Sequence, residues 1–316
     1  MNQNNLPNSL LELSTKTAIL YLTDYSASQF VNLPTSIKDV IRTQALRRPL
    51  KLSPRCLSAL LHDQVRSVEL MSLKDVTKDH IRVLQMAHKI RILKLTDLDL
   101  EYCGSKETSV ICIKQPCRHC QEISDSLGKT LLCFEFLVRL ELSYNQTLVL
   151  DSIILTVAES CRNLQQLELD SCVKITDNAL LCEESMKNST GITDDESEVL
   201  VQSGLVVLRS IHSINLSGTS ISDRGLIGLK KYSKSRESLR EIVLNRCFNI
   251  TDEGIENILD GFKELEILSF AQCSPSITSK STSMLSEYFE ERKTTSNCQD
   301  VKIHHNSMKH IGFTVW

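Results

Sequence analysis

Hydrophobic and polar positions alternate along this chain in a pattern that recurs about every 26 residues. Each copy contains residues spaced as apolar-x-x-apolar-x-apolar, then a small residue or Cys, then a Thr-Asp or Ser-Asp pair that opens an amphipathic segment. The clearest copy spans Leu164 to Leu180, and a second spans Leu239 to Ile255. A fixed period of this length is typical of proteins that stack one structural repeat on the next.

Seven copies of the pattern follow one another along the chain. Their first apolar residues are Val65, Ile90, Leu137, Leu164, Ile211, Leu239 and Leu265. Two intervals, Ile90 to Leu137 and Leu164 to Ile211, exceed one period by about 20 residues. We therefore interpret each of these two repeats as carrying an insertion, at about residues 102–126 and 182–203.

Each part of the repeat predicts a structural element. The alternating apolar core predicts a short strand with every second side chain turned inward. The Thr-Asp and Ser-Asp pairs supply N-caps, so helices are expected to begin at Asp177, Asp223, Asp252 and Ser279. Because one repeat cannot bury its apolar face alone, the pattern predicts an α/β leucine-rich-repeat solenoid. Its curved horseshoe would carry parallel strands on the concave face and helices on the convex face.

The two ends of the chain depart from the repeat. Residues 1–62 are interpreted as a helical leader and cap, with helices over Leu10–Leu22, Thr35–Leu46 and Leu50–Leu61. Residues 63–300 hold the repeats. Residues 301–316 are expected to close the other end of the solenoid with a cap strand, because the last repeat of such an array needs cover.

Composition and charge narrow the function classes. The chain has 316 residues, 41% of them hydrophobic, and a net charge of -3. This charge does not favour a nucleic-acid partner, and no apolar run is long enough for a membrane span. The polar start, Met1 to Ser9, does not resemble a secretory signal. We therefore expect a protein of the cytoplasm, the nucleus or both, with its twelve cysteines as reduced thiols.

Cysteines are the candidates for metal or nucleophilic chemistry. Cys172, Cys247 and Cys273 fall at one position of the repeat, so we interpret them as small core residues. Cys117-x-x-Cys120 has the spacing of half a zinc site, but the other cysteines of the first insertion, Cys103 and Cys112, are far apart. An ordinary loop is the preferred interpretation and zinc the alternative. No catalytic motif is recognisable, so we expect neither an enzyme nor a cofactor.

A solenoid of this kind binds proteins with its exposed strand surface. The predicted partner-binding residues follow or alternate with the inward-facing leucines, and are Glu141, Ser143, Tyr144, Glu168, Asp170, Asn215, Asn245 and Arg246. Tyr and Arg are the residue types that often dominate binding energy. The carboxylates favour a basic segment of the partner. We expect a protein substrate or signalling protein as the partner, bound by a monomer within a complex.

The spacing L-x-x-L-x-L-x-x-C-x-x-I-T-D resembles the leucine-rich repeats of F-box proteins. The ends of the chain carry a more specific likeness, to the animal homologues of the antagonist of mitotic exit network protein. The residues concerned are Leu10-Leu11-Glu12-Leu13, Tyr21-Leu22-Thr23-Asp24, the segment from Leu33 to Asp39, and Phe313-Thr314-Val315-Trp316. This resemblance covers most of the chain outside the two insertions.

The resemblance implies a substrate-recognition subunit of a cullin-type ubiquitin ligase. Its alternative implication is a direct binding inhibitor of a mitotic exit or related GTPase signalling protein, without a ligase. The leader resembles an elongin-binding box, and Leu33-Pro34 resembles the start of a cullin box, although Ser14 stands where that box has Cys. An elongin or Skp-type adaptor would contact Leu10, Ser14, Ala18, Leu33 and Pro34. The alternative for this segment is a plain cap helix.

Overall fold

A computed structural model of the chain describes residues 27–100, 117–181 and 204–295. Within these ranges seven strands form one parallel sheet, and their order in the sheet is their order along the chain. The strands are β2 (Ser67–Met71), β4 (Ile92–Thr96), β5 (Arg139–Glu141), β6 (Gln166–Glu168), β7 (Ser213–Asn215), β8 (Glu241–Val243) and β9 (Ile267–Ser269). Two shorter strands, β1 (Leu50–Lys51) and β3 (Leu73–Lys74), pair separately in parallel.

The register of the sheet aligns equivalent positions of all seven repeats. One row is inward-facing and almost completely buried, and consists of Val68, Leu93, Leu140, Leu167, Ile214, Ile242 and Leu268. The next residue of each strand forms a second row on the opposite side of the sheet. This alternation places the core between the sheet and the helices. The predicted α/β class with a parallel sheet is therefore confirmed.

Helices connect the strands. They are α1 (Ala27–Val31), α2 (Thr35–Ala45), α3 (Pro54–Leu60), α4 (Lys78–Val83), α5 (Arg118–Leu131), α6 (Asp151–Ser160), α7 (Asp177–Leu180), α8 (Asp223–Tyr232), α9 (Asp252–Gly261) and α10 (Ser279–Thr295). The helix starts predicted at Asp177, Asp223, Asp252 and Ser279 are confirmed. Short 3-10 turns cover Leu84–Ala87 and Leu205–Val207. None of the helices in the described ranges is long and apolar enough to cross a membrane.

The aspartate that begins a helix also binds the following repeat. The carboxylate of Asp223 accepts hydrogen bonds from the backbone N–H of Thr251 at 2.8 Å and from its hydroxyl at 2.6 Å. The same pair of bonds joins Asp151 to Thr176, Asp177 to Ser222, and Asp252 to Thr278. A ladder of four carboxylates thus ties successive helix starts together. The Thr-Asp and Ser-Asp pairs therefore do more than cap their own helix, because their aspartates also bind the following repeat.

Two glycines make room for this ladder. A Cβ atom on Gly225 would lie 2.3 Å from Oδ1 of Asp177, and one on Gly254 would lie 2.2 Å from Oδ1 of Asp223. Both glycines belong to the first turn of the neighbouring repeat's helix. Their missing side chains therefore permit the close approach that the carboxylate bonds require.

The N-terminal cap differs from the prediction at one point. The helix expected over Thr35–Leu46 is present as Thr35–Ala45, but the helix expected over Leu50–Leu61 begins only at Pro54. Pro54 lacks a free N–H and suits a helix start, and the Ser53 hydroxyl accepts the Cys56 N–H at 3.2 Å. The preceding Leu50–Lys51 instead pairs as a strand with Leu73–Lys74. The helix predicted over Leu10–Leu22 lies outside the described residues.

The insertion predicted over 102–126 does not extend to residue 126. Residues 118–126 belong to α5, which packs between α4 and α6 as the helix of its repeat. Its buried positions are helically spaced and include Cys120, Ile123, Leu127 and Leu131. Polar residues between these buried positions obscure the amphipathic spacing in the sequence. The rest of that insertion up to residue 116, the insertion at 182–203 and the cap strand at 301–316 lie outside the described residues.

Candidate functional site

The outward-facing side chains of the seven strands, together with the residues at the second and third positions after the last row that all seven strands share, form a surface that we call the strand face. Its central row contains Glu69, Lys94, Glu141, Glu168, Asn215, Val243 and Ser269, which the register places side by side. All eight partner-binding residues predicted from sequence lie on or beside this surface. The strand face is therefore the candidate site.

A left-handed turn ends the strand segment in every repeat. Its residue has φ between 52° and 63°, and the seven are Ser72, Asp97, Tyr144, Ser171, Gly218, Arg246 and Gln272. The backbone N–H of this residue donates to the next repeat, as from Tyr144 to the Asp170 carbonyl at 2.7 Å. A non-glycine residue in this conformation costs roughly 1–2 kcal/mol, which the added hydrogen bond offsets. The turn projects the side chains of Tyr144 and Arg246 from the edge of the strand face.

Asp170 joins side chains from three repeats at this edge. It accepts hydrogen bonds from the Tyr144 hydroxyl at 3.1 Å, from Nη2 of Arg246 at 2.6 Å and from the Ser171 hydroxyl at 2.8 Å. The repeat between Asp170 and Arg246 contributes Gly218, so no side chain stands at its turn. The negative charge of Asp170 and its hydrogen bond raise the pKa of Tyr144, and Arg246 offsets part of this effect. The raised pKa favours the neutral phenol, whose hydroxyl donates to Asp170.

A second polar cluster lies on the central rows of the strand face. Glu141 pairs with Lys94 at 3.3 Å and with Arg139 at 3.8 Å. Arg139 also reaches Glu168 at 3.3 Å, and Glu168 accepts a hydrogen bond from Asn215 at 3.2 Å. Arg139 is not among the partner-binding residues predicted from sequence, although strand alternation places it on the same side as Glu141.

These pairs change the expected charge of the surface. The three carboxylates Glu141, Glu168 and Asp170 are matched by three cations, Lys94, Arg139 and Arg246. The charges of these six side chains on the strand face thus balance, whereas the carboxylates alone favoured a basic partner. A partner would have to replace these internal pairs with its own polar groups, which favours a geometrically specific partner over any basic segment.

Two of the predicted partner-binding residues make hydrogen bonds within the sheet. Ser143 is buried, and its carbonyl accepts the Asp97 N–H at 3.1 Å. The side-chain oxygen of Asn245 accepts both the Ser269 hydroxyl and the Ala271 N–H at 2.7 Å. Tyr144, in contrast, is 49% exposed. Among the predicted residues, Tyr144 and Arg246 are therefore the strongest candidates for direct contact with a partner.

The repeat cysteines are buried, as predicted, and they also make hydrogen bonds. The thiols of Cys172 and Cys247 each donate to a carbonyl of the preceding repeat at 3.1 Å, and the Cys273 thiol does so at 2.9 Å. Burial raises the pKa of Cys172 and Cys247 to about 12 and that of Cys273 to about 11. Asn145 occupies the same position in another repeat and donates to the Leu95 carbonyl. In these four repeats the position therefore holds a side chain that donates a hydrogen bond to the preceding repeat.

These pKa values lead to a labelling prediction. In native protein at pH 8, iodoacetamide is expected to modify the exposed Cys133 at least about 100-fold faster than Cys172 or Cys247, because a thiolate is the reacting species and theirs is scarce. Peptide mapping by mass spectrometry measures the rates, and urea-unfolded protein supplies the control in which all three react alike. Equal rates in the native protein would contradict the buried donor role.

The proposed half zinc site has a helical setting. Cys117 is the N-cap of α5, and its Sγ accepts the Cys120 N–H at 3.4 Å. The two sulfur atoms lie 3.5 Å apart. Within the described ranges, no group of three or more Cys, His, Asp or Glu side chains is arranged to hold a metal. Cys103 and Cys112 lie outside these ranges.

Of the five predicted adaptor-binding residues, only Leu33 and Pro34 lie in the described ranges. Leu33 packs against the core while Pro34 is exposed and precedes α2, with exposed Val31 and Val40 nearby in sequence. Leu10, Ser14 and Ala18 lie outside the described residues. The described part of the leader thus exposes two apolar side chains, Val31 and Val40, before and after Pro34 in the sequence.

No protein-family model matches this chain. Among solved structures, it is similar to a chain from the crystal structure of the yeast Rad7 and Elc1 complex, with a TM-score of 0.39 and 15% identity over 86% of this chain and 78% of that chain. It is also similar to the tropomodulin C-terminal domain from Caenorhabditis elegans. That alignment has a TM-score of 0.29 and 10% identity, over 74% of this chain and 89% of the other.

Proposed function

We propose that this protein is a leucine-rich-repeat solenoid that acts as a non-enzymatic protein-binding scaffold, and that it recognises substrates for a cullin-type ubiquitin ligase. The observation that carries the scaffold role is the strand face, where one row of side chains continues across seven strands in register. A rigid sheet of this kind holds a partner's contacts at fixed spacing, which lowers the entropic cost of binding.

The solenoid assignment is supported by the regularity of the repeats. Strand order equals chain order, and the left-handed turn, the small buried donor and the carboxylate ladder recur at equivalent positions. Each repeat therefore contacts mainly the repeats before and after it, as in quasi-one-dimensional repeat proteins.

The non-enzymatic role is supported by the chemistry of the buried thiols. Cys161, Cys172 and Cys247 have pKa values raised by burial to about 11 or 12, so they are protonated at neutral pH. A protonated, buried thiol is a poor nucleophile. The cysteines of the repeats therefore serve packing and hydrogen bonding in this proposal.

The ligase role rests on the leader. Its resemblance to an elongin-binding box through Leu10, Ser14 and Ala18, followed by Leu33 and Pro34, is the basis for proposing an elongin or Skp-type adaptor. Val31 and Val40 are 58% and 39% exposed, which provides apolar surface for such a partner. Membership of the group of animal homologues of the antagonist of mitotic exit network protein is part of the same proposal.

Affinity purification with cross-linking mass spectrometry tests both surfaces in the full chain. The unmodified protein is expected to recover an adaptor with a cullin, and Leu10→Asp to lose them. The double variant Tyr144→Ala/Arg246→Ala is expected to weaken substrate recovery about 30-fold, since two hot-spot side chains are removed, while the adaptor remains. Lys263→Ala is the matched control, because this exposed lysine lies just after α9, away from the strand face.

A different result would contradict the proposed role of each surface. If the unmodified protein recovers no adaptor, the ligase role is wrong. A strand-face partner found without any adaptor would instead support a direct binding inhibitor of a GTPase signalling protein. If the double variant retains every partner, the strand face is not the recognition surface.

A further inference from the structure

A groove lies at the amino-terminal ends of four neighbouring strands, at the opposite end of the strands from Tyr144 and Arg246. Its volume is about 450 Å³. Four of its lining residues directly precede β2, β4, β5 and β6, and are Arg66, Arg91, Val138 and Gln165. The groove therefore runs across the sheet, perpendicular to the strands.

The groove is strongly basic in a protein with a net charge of -3. Arg66, Lys89 and Arg91 line it, and the lining residues in the described ranges include no carboxylate. None of these three cations forms an ion pair within the described part of the chain; Arg66 makes a long contact of 3.5 Å to the Asp63 carbonyl. The charge of the groove thus remains available to an anion.

The side chains of these cations are not needed to hold the sheet. The backbone carbonyl of Arg66 accepts the N–H groups of Arg91 and Ile92 at 2.7 and 3.0 Å. The carbonyl of Arg91 accepts those of Val138 and Arg139 at 2.8 and 3.0 Å. Since backbone atoms make all four bonds, the pairing of these strands does not depend on the exposed side chains of Arg66 and Arg91.

An apolar side chain stands beside the cations. Phe136 lines the groove and is 48% exposed, although burial of such a ring is worth roughly 2 kcal/mol. Asn163 and Gln165 add amide groups along the same wall. The combination of guanidinium groups, amides and one exposed ring is suited to a chain that offers carboxylates, a polar backbone and an apolar side chain.

We propose that this groove is a second docking site, which binds an acidic peptide segment with one apolar side chain against Phe136. Four strands spaced about 4.8 Å apart span roughly 14 Å, the length of about four extended residues. Arginine pairs with carboxylates through two parallel hydrogen bonds, so Arg66 and Arg91 select an anionic chain. The site is independent of the strand face and of any adaptor.

Fluorescence anisotropy of the full chain tests the site with a labelled decapeptide of Glu and Asp that carries one central Leu. We expect saturable binding that weakens at least tenfold between 50 and 300 mM salt, since exposed ion pairs are screened. Arg66→Glu/Arg91→Glu is expected to weaken it at least 20-fold. The double variant Arg118→Glu/Lys263→Glu changes the net charge equally on exposed side chains outside the groove, and is expected to bind normally.

Further variants distinguish the groove from the strand face and from a nucleic-acid site. Phe136→Ala should weaken the Leu-containing peptide about fivefold and leave a peptide with Ala in its place unchanged. Tyr144→Ala/Arg246→Ala should bind the peptide normally, so failure of the strand face and failure of the groove are distinguishable. Equal loss of binding in both charge-reversal variants would overturn the proposal, as would no saturable binding. Tighter binding of a single-stranded oligonucleotide, lost in Arg66→Glu/Arg91→Glu, would assign the groove to nucleic acid instead.

Discussion

Replacing Asp223 with alanine is expected to lower the free energy of unfolding by about 2–3 kcal/mol. The substitution removes the acceptor for both the N–H and the hydroxyl of Thr251, at 2.8 and 2.6 Å. Both hydrogen bonds that link these two helix starts are therefore lost. Hydrogen bonds to a charged group are the stronger ones in proteins. Urea unfolding followed by circular dichroism measures the change, and a loss below about 0.5 kcal/mol would contradict the role of the ladder.

A substitution at Gly254, in the helix that follows Thr251, tests the same contact between Asp223 and the next repeat. Gly254→Ala places a methyl group 2.2 Å from Oδ1 of Asp223, so it is expected to destabilise the protein by about 1–3 kcal/mol. In the Asp223→Ala background the same change should cost less, because the contact at 2.2 Å is gone and the remaining neighbours at 3.1 Å are side-chain carbons that must shift only slightly. Gly128→Ala is the control: its nearest neighbour would lie at 3.6 Å, so a helical alanine should stabilise by about 0.5–1 kcal/mol. Additive losses in the double variant would contradict the proposed clash.

Leu167→Ala is expected to have the largest single effect, a loss of about 3–4 kcal/mol in the free energy of unfolding. Leu167 is completely buried and lies between Leu140 and Ile214 in the inward row, so its removal leaves a cavity shared by three repeats. The matched control is Glu168→Ala, one residue along on the strand face, where the partly exposed pair with Arg139 is worth about 1 kcal/mol or less. Urea unfolding again measures both.

The contrast between these two neighbours is the informative result. A strand that alternates between core and surface requires a large loss at Leu167 and a small one at Glu168. Equal losses at both positions would contradict the register, since a slip by one residue would exchange their sides.

Local chemistry accounts for what could be predicted from the sequence. The helix starts at Asp177, Asp223 and Asp252 follow from cap residues that satisfy the first free N–H groups of their own helix. The alternating strand core follows from the two-residue period of a strand. Where the local pattern was ambiguous, prediction failed: residues 118–126 have the polar composition of a loop, yet their helical face with Cys120 and Ile123 is buried.

The electrostatic character of the candidate site required the three-dimensional arrangement. Glu141, Glu168 and Asp170 suggested an acidic surface, because their partners are distant in sequence. Asp170 and Arg246 are 76 residues apart and meet at 2.6 Å across the repeat that contributes Gly218. The basic groove was likewise invisible in sequence, since Arg66 and Arg91 belong to different repeats and become neighbours only through the sheet.

The sequence by itself determined the repeat, the alternation within each strand and the helix starts, because these depend on the chemistry of residues a few positions apart. Tertiary structure alone decided which charges neutralise each other, which glycines must remain small beside Asp177 and Asp223, and which cations gather in one groove. Stacking brings residues one repeat apart in sequence to within hydrogen-bonding distance, and the strength of those contacts depends on distances that no local pattern encodes.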